Sequence, residues 1–70
     1  IVLEQAGKVT GIEVKAAATV KEKDFRGLKK LRETTGERFA AGVVMYDGEN
    51  IVGFGENLYA IPIRALWETN

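Results

Sequence analysis

Gly11-Ile12-Glu13-Val14-Lys15-Ala16-Ala17 alternates apolar and charged residues, which is the period of a strand with two unlike faces. The alternation predicts that Ile12, Val14 and Ala16 point one way. Glu13 and Lys15 then point the other way, side by side and about 7 Å apart. A carboxylate and an amine so placed can share a metal ion and an activated water, or can simply face solvent. The rest of the chain is organised outward from this strand.

Upstream, residues 1–4 are strand-like and Gln5-Ala6-Gly7-Lys8 reads as a turn, with Gly7 free to take positive φ. Residues 9–17 form the second strand, so the two make an antiparallel hairpin. Gly11 in mid-strand signals a bulge or a close backbone approach. Downstream, Thr19-Val20-Lys21-Glu22 has the spacing of a capping box, with Thr19 as N-cap, and Asp24 is a second candidate cap. The helix runs to about Thr35 and stops at Gly36. Its apolar stripe is Phe25, Leu28 and Leu31.

Residues 39–46, Phe39-Ala40-Ala41-Gly42-Val43-Val44-Met45-Tyr46, are nearly all apolar and fit a strand buried on both faces. Asp47-Gly48-Glu49-Asn50 is a tight turn, after which Ile51-Val52-Gly53-Phe54 returns as an antiparallel partner. Gly55-Glu56-Asn57 breaks that strand and Leu58-Tyr59-Ala60-Ile61 resumes. Pro62 opens a short helix over residues 63–67, with Leu66 and Trp67 packing back on the sheet. The order is β-β-α-β-β with a terminal helical turn. A right-handed crossover lets the strand after the helix lie parallel to the second strand. The expected architecture is therefore α/β in the α+β sense: one mixed sheet with a single main helix on one face.

Composition narrows the chemistry. Seventy residues make at most one small domain, which buries only about 60% of its unfolded surface. With no cysteine there is neither a disulfide nor a thiolate metal site. The absence of histidine removes the commonest general base. A metal here would be a hard cation on oxygen, such as magnesium or manganese. Ten basic residues balance ten acidic ones, which argues against a dedicated nucleic-acid coat. No apolar run is long enough to span a membrane and no signal peptide is visible, so the cytoplasm is the expected compartment. The chain begins inside a strand without an initiator methionine and reads as the trimmed C-terminal piece of something longer.

Phosphodiester cleavage needs an oxygen-held cation to polarise the phosphate and activate water, and a positive group to meet the developing charge. Glu13 and Lys15 supply part of that set, and a second carboxylate from the neighbouring strand would complete it. The competing reading is a solvated strand face. The basic helix residues Lys21, Lys23, Arg26, Lys29, Lys30 and Arg32 are interrupted by Glu22, Asp24 and Glu33, as on an ordinary solvated helix. Tyr46, Tyr59 and Trp67 lie in or beside apolar runs and read as packing residues. Gly53-Phe54-Gly55 precedes no helix and reads as a turn, not a phosphate loop.

The hairpin, the helix and the buried strand around Glu13 and Lys15 resemble the core of the PD-(D/E)xK nuclease-like fold of restriction endonucleases and Holliday-junction resolvases. A closer resemblance spans nearly the whole chain. Ile12-Glu13-Val14-Lys15-Ala16, Asp24-Phe25-Arg26-Gly27-Leu28, Gly42-Val43-Val44-Met45-Tyr46, Asn57-Leu58-Tyr59-Ala60-Ile61-Pro62 and Ala65-Leu66-Trp67 look like the C-terminal domain of unknown function of bacterial and archaeal AAA-type ATPases.

That resemblance implies an accessory domain whose ATP site lies in an absent domain. It carries over Glu13 and Lys15 as candidate catalytic residues and Glu13 as a candidate metal ligand. Members commonly have an aspartate directly ahead of the strand matching Ile1-Val2-Leu3-Glu4, a position that would fall before residue 1. Glu4 is the candidate stand-in. Three functions are thus in play: a non-catalytic accessory or interaction domain beside an ATPase, a magnesium- or manganese-dependent DNA nuclease, and a DNA-binding module without cleavage. Self-association through an exposed sheet face or edge is expected in each case.

Overall fold

The first two strands are joined by Ala6 and Gly7 alone, both at positive φ (53° and 81°). This is the backbone of a two-residue hairpin turn whose twist matches its strands. In the computed structural model, which describes residues 1–66, the strands are β1 (Val2–Gln5) and β2 (Lys8–Lys15). They pair antiparallel with Val2 opposite Gly11 and Gln5 opposite Lys8.

The chain then climbs from the sheet to the helical layer. Ala17 is held on the way, its carbonyl accepting the N–H of Asp47 at 2.9 Å. A 3-10 turn, Glu22–Phe25, leads into α1 (Arg26–Thr35). The cap of this helical stretch is not Thr19. Lys21 is the N-cap, and the Asp24 carboxylate accepts its backbone N–H at 2.7 Å. Residues 16–20 are spent crossing between layers, so the capping geometry falls two residues later than the Thr19–Glu22 spacing predicts. Glu22 instead pairs with Lys29 at 2.7 Å. Gly36, at φ 56°, ends α1 and donates its N–H to the Arg32 carbonyl.

A further 3-10 turn, Gly36–Arg38, delivers β3 (Phe39–Tyr46). It lies parallel to β2, with Glu13 opposite Val44 and Lys15 opposite Tyr46, as the crossover argument expects. After β3 come β4 (Val52–Gly53) and β5 (Leu58–Pro62). The sheet order is β1-β2-β3-β5-β4. The expected hairpin between residues 39–46 and 51–54 is therefore corrected. β5 takes the place beside β3, running parallel to it, and β4 pairs antiparallel with β5 at the sheet edge. The reason is burial. Leu58, Ala60 and Pro62 alternate as buried residues that fill the site next to β3, whereas β4 is two exposed residues.

Packing is one-sided. Phe25 and Leu28 from the helical layer meet Phe39, Val44, Tyr46, Leu58 and Ala60 from the sheet. Val20, Leu31 and Phe54 pack around them. Phe25 stacks on Phe54 with ring centroids 4.7 Å apart. Because helix covers only one face, β3 is not buried on both. Phe39, Gly42, Val44 and Tyr46 are buried, while Ala41, Val43 and Met45 on the other face are half-covered.

Pro62 is the last residue of β5, and the short helical turn expected after it is present as a 3-10 turn, Ile63–Leu66. Leu66 is 63% exposed and does not pack back on the sheet. Trp67 lies outside the described residues. Among those residues, no helix is long and apolar enough to cross a membrane.

Candidate functional site

Residues on one face of β2 alternate, and Val9 and Gly11 set which face meets the helix. A Cβ on Gly11 would sit 2.6 Å from Leu28 Cδ2 and 2.8 Å from Leu31 Cδ2, so the missing side chain is what lets α1 lie so close. The same alternation carries Glu13 and Lys15 onto the helix side. Ile12 and Val14 consequently face away from α1, and Val14 is 67% exposed. The alternation holds, and it is the charged set that lies on the helix side: beyond Gly11 the inner face is charged, because there it meets the start of the helical layer and not its apolar stripe.

Lys15 finds a partner there. Its Nζ donates to Asp24 Oδ2 at 2.6 Å, with both side chains partly shielded (29% and 18% exposed). Asp24 therefore does two things, capping the helical stretch at Lys21 and neutralising Lys15. Only the first was visible in the sequence, since the second depends on folding nine residues back across the crossover. The hydrogen bond from Lys15 is the main cause that holds the Asp24 carboxyl below its usual value of 3.8. The Lys21 N–H and the charges of Lys15 and Lys23 add to it, against some desolvation.

A depressed carboxyl stabilises the fold above its unfolded-state pKa, and that contribution is lost as pH falls through the folded-state value. In thermal melts Tm should therefore fall as the pH is lowered below the usual carboxyl value of 3.8, and the fall should be shallower in Asp24→Asn. Identical acid limbs in the two proteins would show that Asp24 is not the group responsible.

Glu13 is exposed and has no hydrogen-bond partner among the described residues. Its carboxylate lies against the first turn of α1: a Cβ on Gly27 would be 3.4 Å from Oε2 and 3.9 Å from Oε1. Negative charge is favourable at this end of a helix. Glu13 also borders a cleft of 360 Å³ between the β1–β2 hairpin and α1, whose walls include Val2, Gly11, Leu28 and Leu31.

The strands β2, β3 and β5 run parallel, so Glu13 and Lys15 sit near the carboxyl end of the parallel set. Open α/β sheets commonly gather ligands at that edge. Glu4 does not join them. It stands opposite Val9, four residues or about 13 Å along β2 from Glu13. Its carboxylate is taken by Arg38 at 2.6 Å, and Arg38 also donates to the Gly7 carbonyl. One ion cannot bridge Glu4 and Glu13. Among the described residues no three acidic side chains cluster in a way that would hold a metal.

The family model for a domain of unknown function, DUF4143, matches residues 1–66. The chain belongs to the DUF4143 family. No curated protein and no solved structure matches it.

The remaining candidates in this DUF4143 chain are structural. Lys29 is paired with Glu22, and Arg32 donates to the Glu56 carbonyl at 2.8 Å, so part of the basic helix face is engaged internally. Tyr46 is buried and its hydroxyl donates to the Asn50 carbonyl at 2.5 Å. Tyr59 lies on the sheet face turned away from α1. The Gly53-Phe54-Gly55 stretch is the turn into β5, with the Phe54 N–H donating to the Leu58 carbonyl and Gly55 at φ 109°.

Proposed function

We propose that this DUF4143 chain is a non-catalytic accessory module of an AAA-type ATPase, with a nuclease-like sheet whose reactive slot is closed. The Lys15–Asp24 ion pair carries this reading. Phosphodiester hydrolysis in such a slot needs a free amine to meet charge on the phosphate and two carboxylates to hold a cation. Here the amine is already engaged at 2.6 Å, and among the described residues Glu13 belongs to no cluster of three or more metal-ligating side chains. The association with an ATPase rests on the ordered motif set from Ile12 to Pro62, and ATP would bind in another domain. In the test, the 70-residue chain and Lys15→Ala are incubated with DNA and manganese. Equal background in both is expected; cleavage that Lys15→Ala removes would overturn the proposal.

One observation favours a second reading, a magnesium- or manganese-dependent DNA nuclease in the intact domain. Ile1 and Ile12 exchange both backbone hydrogen bonds, at 2.7 and 2.9 Å. If that pairing continued, a residue preceding Ile1 would lie opposite Glu13 in a non-hydrogen-bonded pair, with Cβ atoms about 4.5–5.5 Å apart. An aspartate there would bring a second carboxylate to Glu13 on the helix side of the sheet. Adding aspartate before Ile1 should then create a manganese site measurable by calorimetry. No binding by the extended chain would remove this reading.

A further inference from the structure

We propose that the cleft between the β1–β2 hairpin and α1 binds a free α-amino acid with an apolar side chain. The inference goes beyond the accessory-module assignment and does not depend on it.

The cleft measures 360 Å³, within the range of about 300–1,000 Å³ typical of small-ligand sites. Its floor is apolar. Gly11 has no side chain, and Leu28 and Leu31 of α1 come down onto it, so that a Cβ there would meet both. Val2, directly opposite Gly11 on β1, extends the floor toward the sheet edge. Two charges of opposite sign stand on the same cleft, the Glu13 carboxylate and the Lys30 ammonium. Neither charge has an ion-pair partner among the described residues, and they do not pair with each other. The other cation on the cleft, the Ile1 ammonium, donates to the Ile12 carbonyl at 2.9 Å.

The spacing of these groups selects the ligand. The Glu13 carboxylate lies against Gly27, where a Cβ would be 3.4 Å from Oε2. Lys30 is three residues further along α1, a rise of about 4.5 Å, and helical side chains lean back toward the N-terminus. A carboxylate and an ammonium so placed bracket a group that carries the complementary pair on one carbon, as an α-amino acid does. Gly11 is two residues back along β2 from Glu13, about 7 Å. The apolar floor therefore begins one side-chain length from the place where the ligand's ammonium would sit. A bare amine leaves Lys30 unanswered, and a bare carboxylate leaves Glu13 unanswered. The N-terminal residue of a peptide lacks the carboxylate that Lys30 calls for.

Calorimetric titration of the 70-residue chain, in chelator and without metal, tests this with L-leucine and L-phenylalanine as probes. Saturable one-to-one binding of at least one is expected. The amide of that amino acid keeps the ammonium, and its deaminated acid keeps the carboxylate. Each should bind about tenfold more weakly or worse, the loss of one charge-assisted hydrogen bond. Glu13→Gln and Lys30→Met should each cost a similar factor, with circular dichroism as a fold check. Glu33→Gln, on α1 outside the cleft, should cost nothing. Failure of both amino acids to bind overturns the proposal. So does equal binding of the amide or of the deaminated acid, or unchanged affinity in Glu13→Gln or Lys30→Met. Neither DNA nor metal is present, so no outcome here bears on the cleavage test of Lys15→Ala.

Discussion

Phe25→Ala should leave the chain without a cooperative unfolding transition at room temperature. Phe25 is fully buried, stacks on Phe54, and joins the helical layer to Val44, Tyr46 and Leu58 on the sheet. Truncating a buried phenylalanine costs about 3–5 kcal/mol, because transfer and cavity terms add. A single core in a domain this small supplies about the same amount in total. Far-ultraviolet dichroism against temperature should show a sloping baseline where the wild type shows a sigmoid. The loss reaches the candidate site as well. Asp24 is the residue before Phe25, so the packing of that ring holds the carboxylate over Lys15. A cooperative melt within a few degrees of wild type would mean that the core is organised around some other residue.

The second large effect is expected at Gly42, in the middle of the central strand. A Cβ there would lie 2.9 Å from Leu58 Cδ2, 3.1 Å from Phe39 Cζ and 3.2 Å from Leu28 Cβ. The Leu58 methyl can swing aside. The Phe39 ring is fixed by burial, and Leu28 Cβ moves only with the α1 backbone. Gly42→Val adds two further carbons to this contact, and overpacking of a tight core costs roughly 1–3 kcal/mol. In a domain of this size that is a fall in Tm of at least about 4–8 °C. Gly53→Val is the matched control: it is also a strand glycine, but a Cβ there meets nothing within 4 Å. Its Tm should stay within a few degrees of wild type. Equal losses at the two positions would show that β-strand glycines are being penalised for some reason other than the helix contact.

Much of the architecture could be read from the sequence because its signals are local. The period-2 alternation around Glu13, the Ala6-Gly7 turn, the Phe25-Leu28-Leu31 stripe and the stop at Gly36 each depend on a few neighbouring residues. The parallel pairing of residues 39–46 with the second strand followed from the crossover rule.

What escaped was non-local. The inner face of β2 is defined by Gly11, which has no side chain to reveal its orientation, so the alternation around Glu13 did not say which of its two sets meets the helix. The partner of β3 was misassigned because Asp47-Gly48 is a good turn and residues 51–54 are apolar. The better-filling Leu58–Ala60 segment lies further along and wins by burial. At the candidate site, Glu13 and Lys15 were found by spacing. Asp24 was seen only as a cap, since its second bond crosses between layers. Glu4 was excluded only once the hairpin register was known.

The placement of β5 between β3 and β4 has a consequence for how the sheet is assembled. Residues 51–54 leave the ribosome before residues 58–62, at a time when the far edge of β3 is still unclaimed. A nascent chain thus carries a ready antiparallel neighbour for β3, joined by a short turn, ahead of the strand that finally occupies that edge. Closing the short loop is fast compared with forming the longer connection. Residues 58–62 outcompete that alternative neighbour through Leu58, Ala60 and Pro62, which are buried where β5 lies beside β3. The brevity of β4, two residues with little to bury, keeps that premature pairing weak enough to give way.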